Sequence, residues 1–158
     1  MEDVETLRRI LRENRVIAMV GLSADWFRPS YFAAKYLQEY GYRVIPVNPR
    51  YAGKRVLGET CYRSLREIPD KVEVVDVFRR TEDVTPVADE AIAIGAKVFW
   101  QQIGVTNEAA AAKAQAAGLD TVMDRCMKIE HGRLFGGLSW MGVNTRVISA
   151  KRPRGPAV

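Results

Sequence analysis

The feature that most constrains this chain is an alternation. Short apolar runs rich in Val, Ile and aromatic residues recur along it, and the segments between them carry apolar residues at helical spacing. Five runs can be placed, at residues 16–20, 43–47, 72–78, 96–100 and 121–123. Runs this continuously apolar belong to strands buried on both faces, and helices between consecutive strands make those strands parallel. The expected class is α/β.

The helical segments agree. An opening helix at about 4–11 places Val4, Leu7, Ile10 and Leu11 on one side. After the first strand, Phe32, Ala33, Tyr36, Leu37 and Tyr40 share a face and Gly41 marks a stop. After the third, Thr85 and Pro86 read as cap and first turn, Val87, Ala88, Ala91 and Ile92 as the stripe, and Gly95 as the end. An alanine-rich helix follows Asn107 and stops near Gly118. Residues 51–69 stay open, with a short extended piece and a helical turn at 64–67.

At 158 residues the chain reads as one domain, 1–150, with a flexible basic tail at 151–158 and no room for a second catalytic domain. No apolar run approaches the roughly 18 residues a membrane span needs, and residues 1–14 are charged rather than signal-like. A cytoplasmic protein is expected. Its 24 basic and 19 acidic residues leave a formal charge of +5, which favours an anionic partner of some kind. Cys61 and Cys126 lie in no CxxC pattern, and His131 is the single histidine, so a zinc site, a redox pair and a catalytic triad are all disfavoured.

In open α/β sheets ligands bind outside the carboxyl ends of the strands, so the residue groups following each run carry the functional reading. After the first come Gly21, Leu22 and Ser23, then Arg28, Pro29 and Ser30 leading into a helix. Glycine permits a tight turn, the serines and helix N-terminus offer donors to a phosphate, and Arg28 adds a cation; an ordinary capped turn would look the same. The second run ends in Asn48, Pro49 and Arg50, with Lys54 nearby, where a nicotinamide-dinucleotide fold would carry a ribose-binding carboxylate. GxGxxG is also missing. Arg50 suits an extra phosphate instead.

The third run ends in Phe78, Arg79 and Arg80, the fourth in Trp100, Gln101, Gln102, Ile103 and Gly104, and the fifth leads to Asp124, Arg125, Cys126, Met127 and Lys128. Each loop alone is a weak signal; five polar or basic strand ends together describe an anion-binding crevice.

Taken in order, Gly21-Leu22-Ser23 with Arg28-Pro29-Ser30, Val47-Asn48-Pro49, Asp76-Val77-Phe78-Arg79-Arg80, Trp100-Gln101-Gln102-Ile103-Gly104 and Asp124-Arg125-Cys126-Met127-Lys128 resemble the CoA-binding domain family, in particular its stand-alone bacterial members. The likeness runs from about Arg15 to Glu130. More distantly the chain resembles the amino-terminal domain of the succinyl-CoA synthetase α subunit. The resemblance implies a Rossmann-like three-layer fold, with a five-stranded parallel sheet of order 3-2-1-4-5 and coenzyme A across its carboxyl edge. Carried over, Gly21, Ser23, Arg28 and Ser30 would meet the phosphates, and Asn48, Pro49 and Arg50 the phosphorylated ribose. Phe78, Arg79 and Arg80 would flank the nucleotide, and Gln102 and Gly104 the cofactor chain. No domain carrying a phosphohistidine is expected, so ligase activity is not implied, and His131 is assigned a structural or surface role.

No general base, nucleophile and oxyanion arrangement can be assembled from the sequence, so the expected function is binding of coenzyme A or an acyl-CoA without catalysis. A nicotinamide-dependent oxidoreductase is the alternative and rests on fold analogy alone. Nucleic-acid binding would rest on net charge, the tail, and Trp26, Phe27 and Trp140 as stacking residues, which more often pack; no recognition pattern supports it. Cys126 is expected to be a small, buried, inert cysteine, with Cys61 as the comparison. The alternative is that Arg125 and Lys128 beside it lower its thiol pKa, which would let it form a mixed disulfide with the CoA thiol.

Overall fold

The computed structural model describes residues 3–136; the expected basic tail and Trp140 lie outside them. The chain runs α1 (Val4–Glu13), β1 (Val16–Val20), α2 (Pro29–Glu39), β2 (Arg43–Val47), a hairpin of β3 (Arg55–Val56) and β4 (Glu59–Thr60), β5 (Val74–Val77), α3 (Thr85–Ala93), β6 (Val98–Gln101), α4 (Glu108–Ala116), β7 (Asp120–Val122) and α5 (Met127–Phe135).

β1, β2, β5, β6 and β7 form one parallel sheet in the order β2-β1-β5-β6-β7. Outside β2, Tyr62 makes a single parallel bridge to Val47. Counting that stub as the third strand gives the expected 3-2-1-4-5 pattern with β7 as a sixth; over the five full strands alone the order is 2-1-3-4-5. Pro46 explains why the third strand is only a stub. It accepts a bond from the Tyr62 N–H but has no N–H to offer in return, so the ladder cannot extend along that side.

Helices cover both faces, giving the three layers. Leu7, Ile10 and Leu11 of α1, Ala33, Ala34 and Leu37 of α2 and Met127 of α5 pack with Ile17, Met19, Val74 and Trp100. On the other face Ala88 and Ala91 of α3 and Ala110 and Ala114 of α4 pack with Ala18, Val75, Val77 and Phe99. Small residues on α3 and α4 let those helices lie close to the sheet, while the large buried side chains concentrate on the first face.

The structure corrects the sequence reading in places. β5 begins at Val74 rather than 72 and β6 at Val98 rather than 96. Val84, not Thr85, occupies the cap position of α3. Phe32 is 49% exposed and does not share the buried face of α2, which is Ser30, Ala33, Ala34 and Leu37. α5 was not expected at all. Its sequence carries Gly132 and a thin apolar pattern, and it is held by tertiary contacts: Met127, Glu130 and His131 are buried, and Arg125 and Arg133 both pair with Glu130.

Candidate functional site

From β1 the chain moves outward to β2, then returns past β1 to β5, so strand order reverses between β1 and β5. The carboxyl ends of these two strands are where such a sheet opens a crevice. Gly21 and Phe78, the residues leaving them, almost touch. Gly21 has φ +93°, and a Cβ there would stand 2.0 Å from the Phe78 carbonyl oxygen. Only glycine permits both the conformation and the approach.

Beyond Gly21 the loop folds back onto the start of α2. The Ser23 N–H donates to Ser30 Oγ at 3.0 Å, and Ser23 Oγ accepts from the Asp25 N–H at 3.0 Å. Both hydroxyls therefore fix the loop while keeping a proton to donate. Arg28 is the cap residue of α2, with Pro29 in its first turn and no acidic residue there, so the positive end of the helix dipole stays uncompensated. Trp26 and Phe27, edge to face at 5.9 Å, are 69% and 58% exposed, so they do not pack into the core.

The loop after β2 is tied to this one. Asn48 Nδ2 donates to the Leu22 carbonyl at 3.1 Å and its Oδ1 accepts from the Arg50 N–H at 3.0 Å. Asn48 is thus committed to holding two loops together, while Pro49 and Arg50 stand exposed beside it. The guanidinium of Arg50 lies 5.7 Å over the Tyr51 ring.

Phe78, Arg79 and Arg80 after β5, with Gln102, Ile103 and Gly104 after β6, line a cleft of about 640 Å³. Arg80 is not available in the way the sequence suggests, because its guanidinium pairs with Asp83 at 3.0 Å and Glu82 at 3.7 Å. Among the described residues Arg28, Arg50 and Arg79 have no carboxylate within ion-pair distance, and they come from three different loops of one sheet edge. The Gly104 N–H is taken by Asp124 Oδ1 at 2.7 Å, which pins the β6 loop to the segment after β7.

Beneath the cleft the character changes. Gln102 is only 3% exposed, and its Nε2 donates to Asp76 Oδ1 at 2.6 Å. Asp76 is fully buried, in register between Met19 of β1 and Trp100 of β6, and its second oxygen, Oδ2, has no hydrogen-bond partner. Burial pushes its carboxyl up to about 7, against a smaller lowering by Gln102. The indole N–H of Trp100 donates to the Arg125 carbonyl at 2.8 Å, fixing the residue before Cys126, which is the cap residue of α5. The Cys126 thiol is pushed up, not down as its neighbouring cations suggested. Burial dominates, the charge of Asp76 adds to it, and the Lys128 and Ile129 N–H groups and the Lys128 ammonium only partly oppose them. Cys61 is likewise raised by burial and is 1% exposed.

The sequence matches the CoA binding domain family over residues 15–132. The chain belongs to the CoA-binding domain family. It is similar to the uncharacterized protein YneT of Bacillus subtilis (strain 168), with 39% identity over 125 residues, 79% of this chain and 91% of that protein. A structure from Pyrococcus horikoshii OT3 is 45% identical with a TM-score of 0.82, covering 85% of this chain and 94% of its own. The apo dinucleotide-forming acetyl-coenzyme A synthetase of Ca. Korarchaeum cryptofilum is 26% identical with a TM-score of 0.60, and the match covers 73% of this chain but 27% of that enzyme.

Within this CoA-binding domain, Asp76 is a candidate functional residue that sequence reasoning missed. The signal was present: one carboxylate inside the apolar run Val74–Val77 cannot be there for packing. His131 sits among Tyr36, Tyr40, Tyr42 and Phe135, with Nδ1 3.0 Å from the Tyr36 hydroxyl, and burial holds its pKa down to about 4. That ring cluster joins α2 to α5 and lies away from the cleft residues. Among the described residues no group of three or more His, Cys, Asp and Glu could hold a metal ion, and no helix is long and apolar enough to cross a membrane.

Proposed function

We propose that this domain binds coenzyme A, free or as a thioester, along the carboxyl edge of its sheet. The observation that carries the reading is the trio Arg28, Arg50 and Arg79, three arginines without carboxylate partners among the described residues, set on three loops around the β1–β5 crevice. Guanidinium groups presented this way match phosphates, which they can bind bidentately.

In this reading the pyrophosphate lies against the Gly21 to Ser23 turn and the start of α2, with Arg28 over it. Arg50 and Pro49 border the phosphorylated ribose, and Asn48 acts indirectly by fixing both loops. Phe78 and Arg79 flank the nucleotide, Arg80 contributes less because Asp83 already holds it, and the pantetheine arm follows Gln102 and Gly104 toward Cys126. The loop after β2 carries Arg50 where a dinucleotide fold needs a carboxylate, so a nicotinamide oxidoreductase has no residue supporting it. A cytoplasmic binding module is the consistent description. Native mass spectrometry of the purified protein, followed by calorimetric titration with CoA, tests it. A one-to-one complex is expected; absence of heat and of any adenine-nucleotide mass would overturn it.

A further inference from the structure

We propose that Asp76 is a positioning residue that turns the carbonyl end of the Gln102 side-chain amide toward the cleft, where Gln102 accepts an N–H of the pantetheine arm. The inference rests on the CoA reading for the ligand and deepens it by stating which group of that ligand meets the cleft floor.

Gln102 is held from three sides. Its backbone N–H donates to the Val77 carbonyl at 3.3 Å, its own carbonyl accepts from the Val105 N–H at 2.9 Å, and its Nε2 donates to Asp76 Oδ1 at 2.6 Å. The residue is 3% exposed yet borders the cleft beside Phe78 and Arg79. Among the described residues Asp76 Oδ2 is the one side-chain oxygen or nitrogen both fully buried and without a partner, and Gln102 Oε1 accepts no hydrogen bond. Gln102 Oε1 therefore keeps access to the surface, and the surface this residue borders is the cleft.

A carboxylate accepts and cannot donate, so only the NH2 end of an amide can face it. With Nε2 turned to Asp76, the oxygen on the same planar carbon is directed away. This explains an acid at position 76. Asparagine there would bond Gln102 without burying a charge, but it donates as well as accepts and would satisfy either orientation of the amide. Asp76 permits one. Its cost is visible in the unpartnered Oδ2, with Met19 of β1 and Trp100 of β6 in register on either side. Burial pushes the carboxyl up to about 7, so the acceptor form prevails above that pH.

An oxygen presented at the cleft floor selects what lies over it. It accepts from a neutral N–H and repels a phosphate, so the phosphates belong with the arginines and the floor belongs to a segment carrying N–H groups. CoA offers neutral N–H donors in the two amides of pantetheine and in the adenine amino group. A recessed acceptor is reached more readily by a thin chain than by the edge of a fused ring, which favours the amides.

The test is calorimetric titration at pH 8 with CoA and with adenosine 3′,5′-bisphosphate, which lacks the pantetheine arm. Gln102→Met, close in shape but without the acceptor, should weaken CoA binding about tenfold and leave the bisphosphate within about twofold. Asp76→Asn frees the amide to turn and removes the charge that polarises Oε1, so it should weaken CoA about threefold and again spare the bisphosphate. In the Gln102→Met background it should add no further loss, because it acts through that side chain. A residue that only supports the fold would weaken both ligands and add its loss to that of Gln102→Met. Equal losses for the two ligands, or additive losses in the double variant, overturn the proposal. Should Asp76→Asn not fold, wild type decides with a CoA analogue carrying ester oxygens in place of its two amide N–H groups: binding about tenfold weaker than CoA is expected, and equal binding overturns it. Wild type that binds neither CoA nor the bisphosphate sinks the CoA reading itself, whereas CoA binding unaffected by Gln102→Met sinks this assignment alone.

Discussion

The two halves of the carboxyl edge differ in kind. The half built on Gly21, the α2 start and the β2 loop is exposed, cationic and hydrogen-bonded to itself, with Arg28 and Arg50 facing water. The half beneath Gln102 is dry, with the carboxylate of Asp76 set between the large apolar side chains Met19 and Trp100. In water, unpaired guanidinium groups cost little and recognise an anion; in the interior, ionising an unpaired group is expensive and shifts protonation instead. The exposed half is suited to affinity and the buried half ties stability to protonation, so substitutions in each should fail differently.

The largest effect is expected where the two halves meet. Gly21→Ala would place a Cβ against the Phe78 carbonyl at a positive φ, and should lower stability by about 3 kcal/mol. Gly104→Ala has a similar φ but nothing within 4 Å of the new Cβ, so about 1 kcal/mol is expected. Urea denaturation of both variants reads the difference; equal losses would mean that the β1–β5 approach does not constrain the fold.

The dry half sets the pH response. Asp76 has its folded pKa raised to about 7, so its contribution is greatest below the unfolded value near 4 and is lost as pH rises through 7. His131 has its folded pKa lowered to about 4, so the unfolded chain takes up protons first as pH falls below about 6.5, and stability is lost from there down to 4. Between 4 and 6.5 the two oppose each other. Asp76→Asn removes one arm: the variant should lose about 2 to 3 kcal/mol across that window while wild type stays nearly flat, and should exceed wild type at pH 8. Denaturation at four pH values checks the sign.

In the wet half, Arg79→Ala should weaken CoA binding by about 1.5 to 3 kcal/mol, the value of a charge-assisted bond. Arg80→Ala should cost less than Arg79→Ala, because Asp83 and Glu82 already hold that side chain. Calorimetry on both variants tests the ranking; the reverse order would move the nucleotide away from the cleft.

Strand and helix placement was legible because buried parallel strands write themselves as unbroken apolar runs, and β1 and β2 match residue for residue. The exposed loops were legible as well, since Gly21 follows β1 directly, Arg50 comes three residues after β2 and Arg28 stands at the start of α2. What escaped were features made by tertiary contact. α5 forms because Met127, Glu130 and His131 find partners elsewhere, and Arg80 is claimed by acidic residues two and three positions on. The upward shift of Cys126 agrees with the inert reading, but its causes were only partly legible. Its cations are visible in the sequence, but its burial and Asp76, fifty positions earlier, are not.

The central claim, that this edge recognises coenzyme A rather than a nicotinamide dinucleotide, is tested most directly by a thermal melt with CoA, NAD and NADP in parallel. At about 100 times its dissociation constant CoA should add about 2.7 kcal/mol and raise the midpoint by several degrees, with no comparable shift from NAD or NADP. Equal shifts from CoA and NAD would contradict the account.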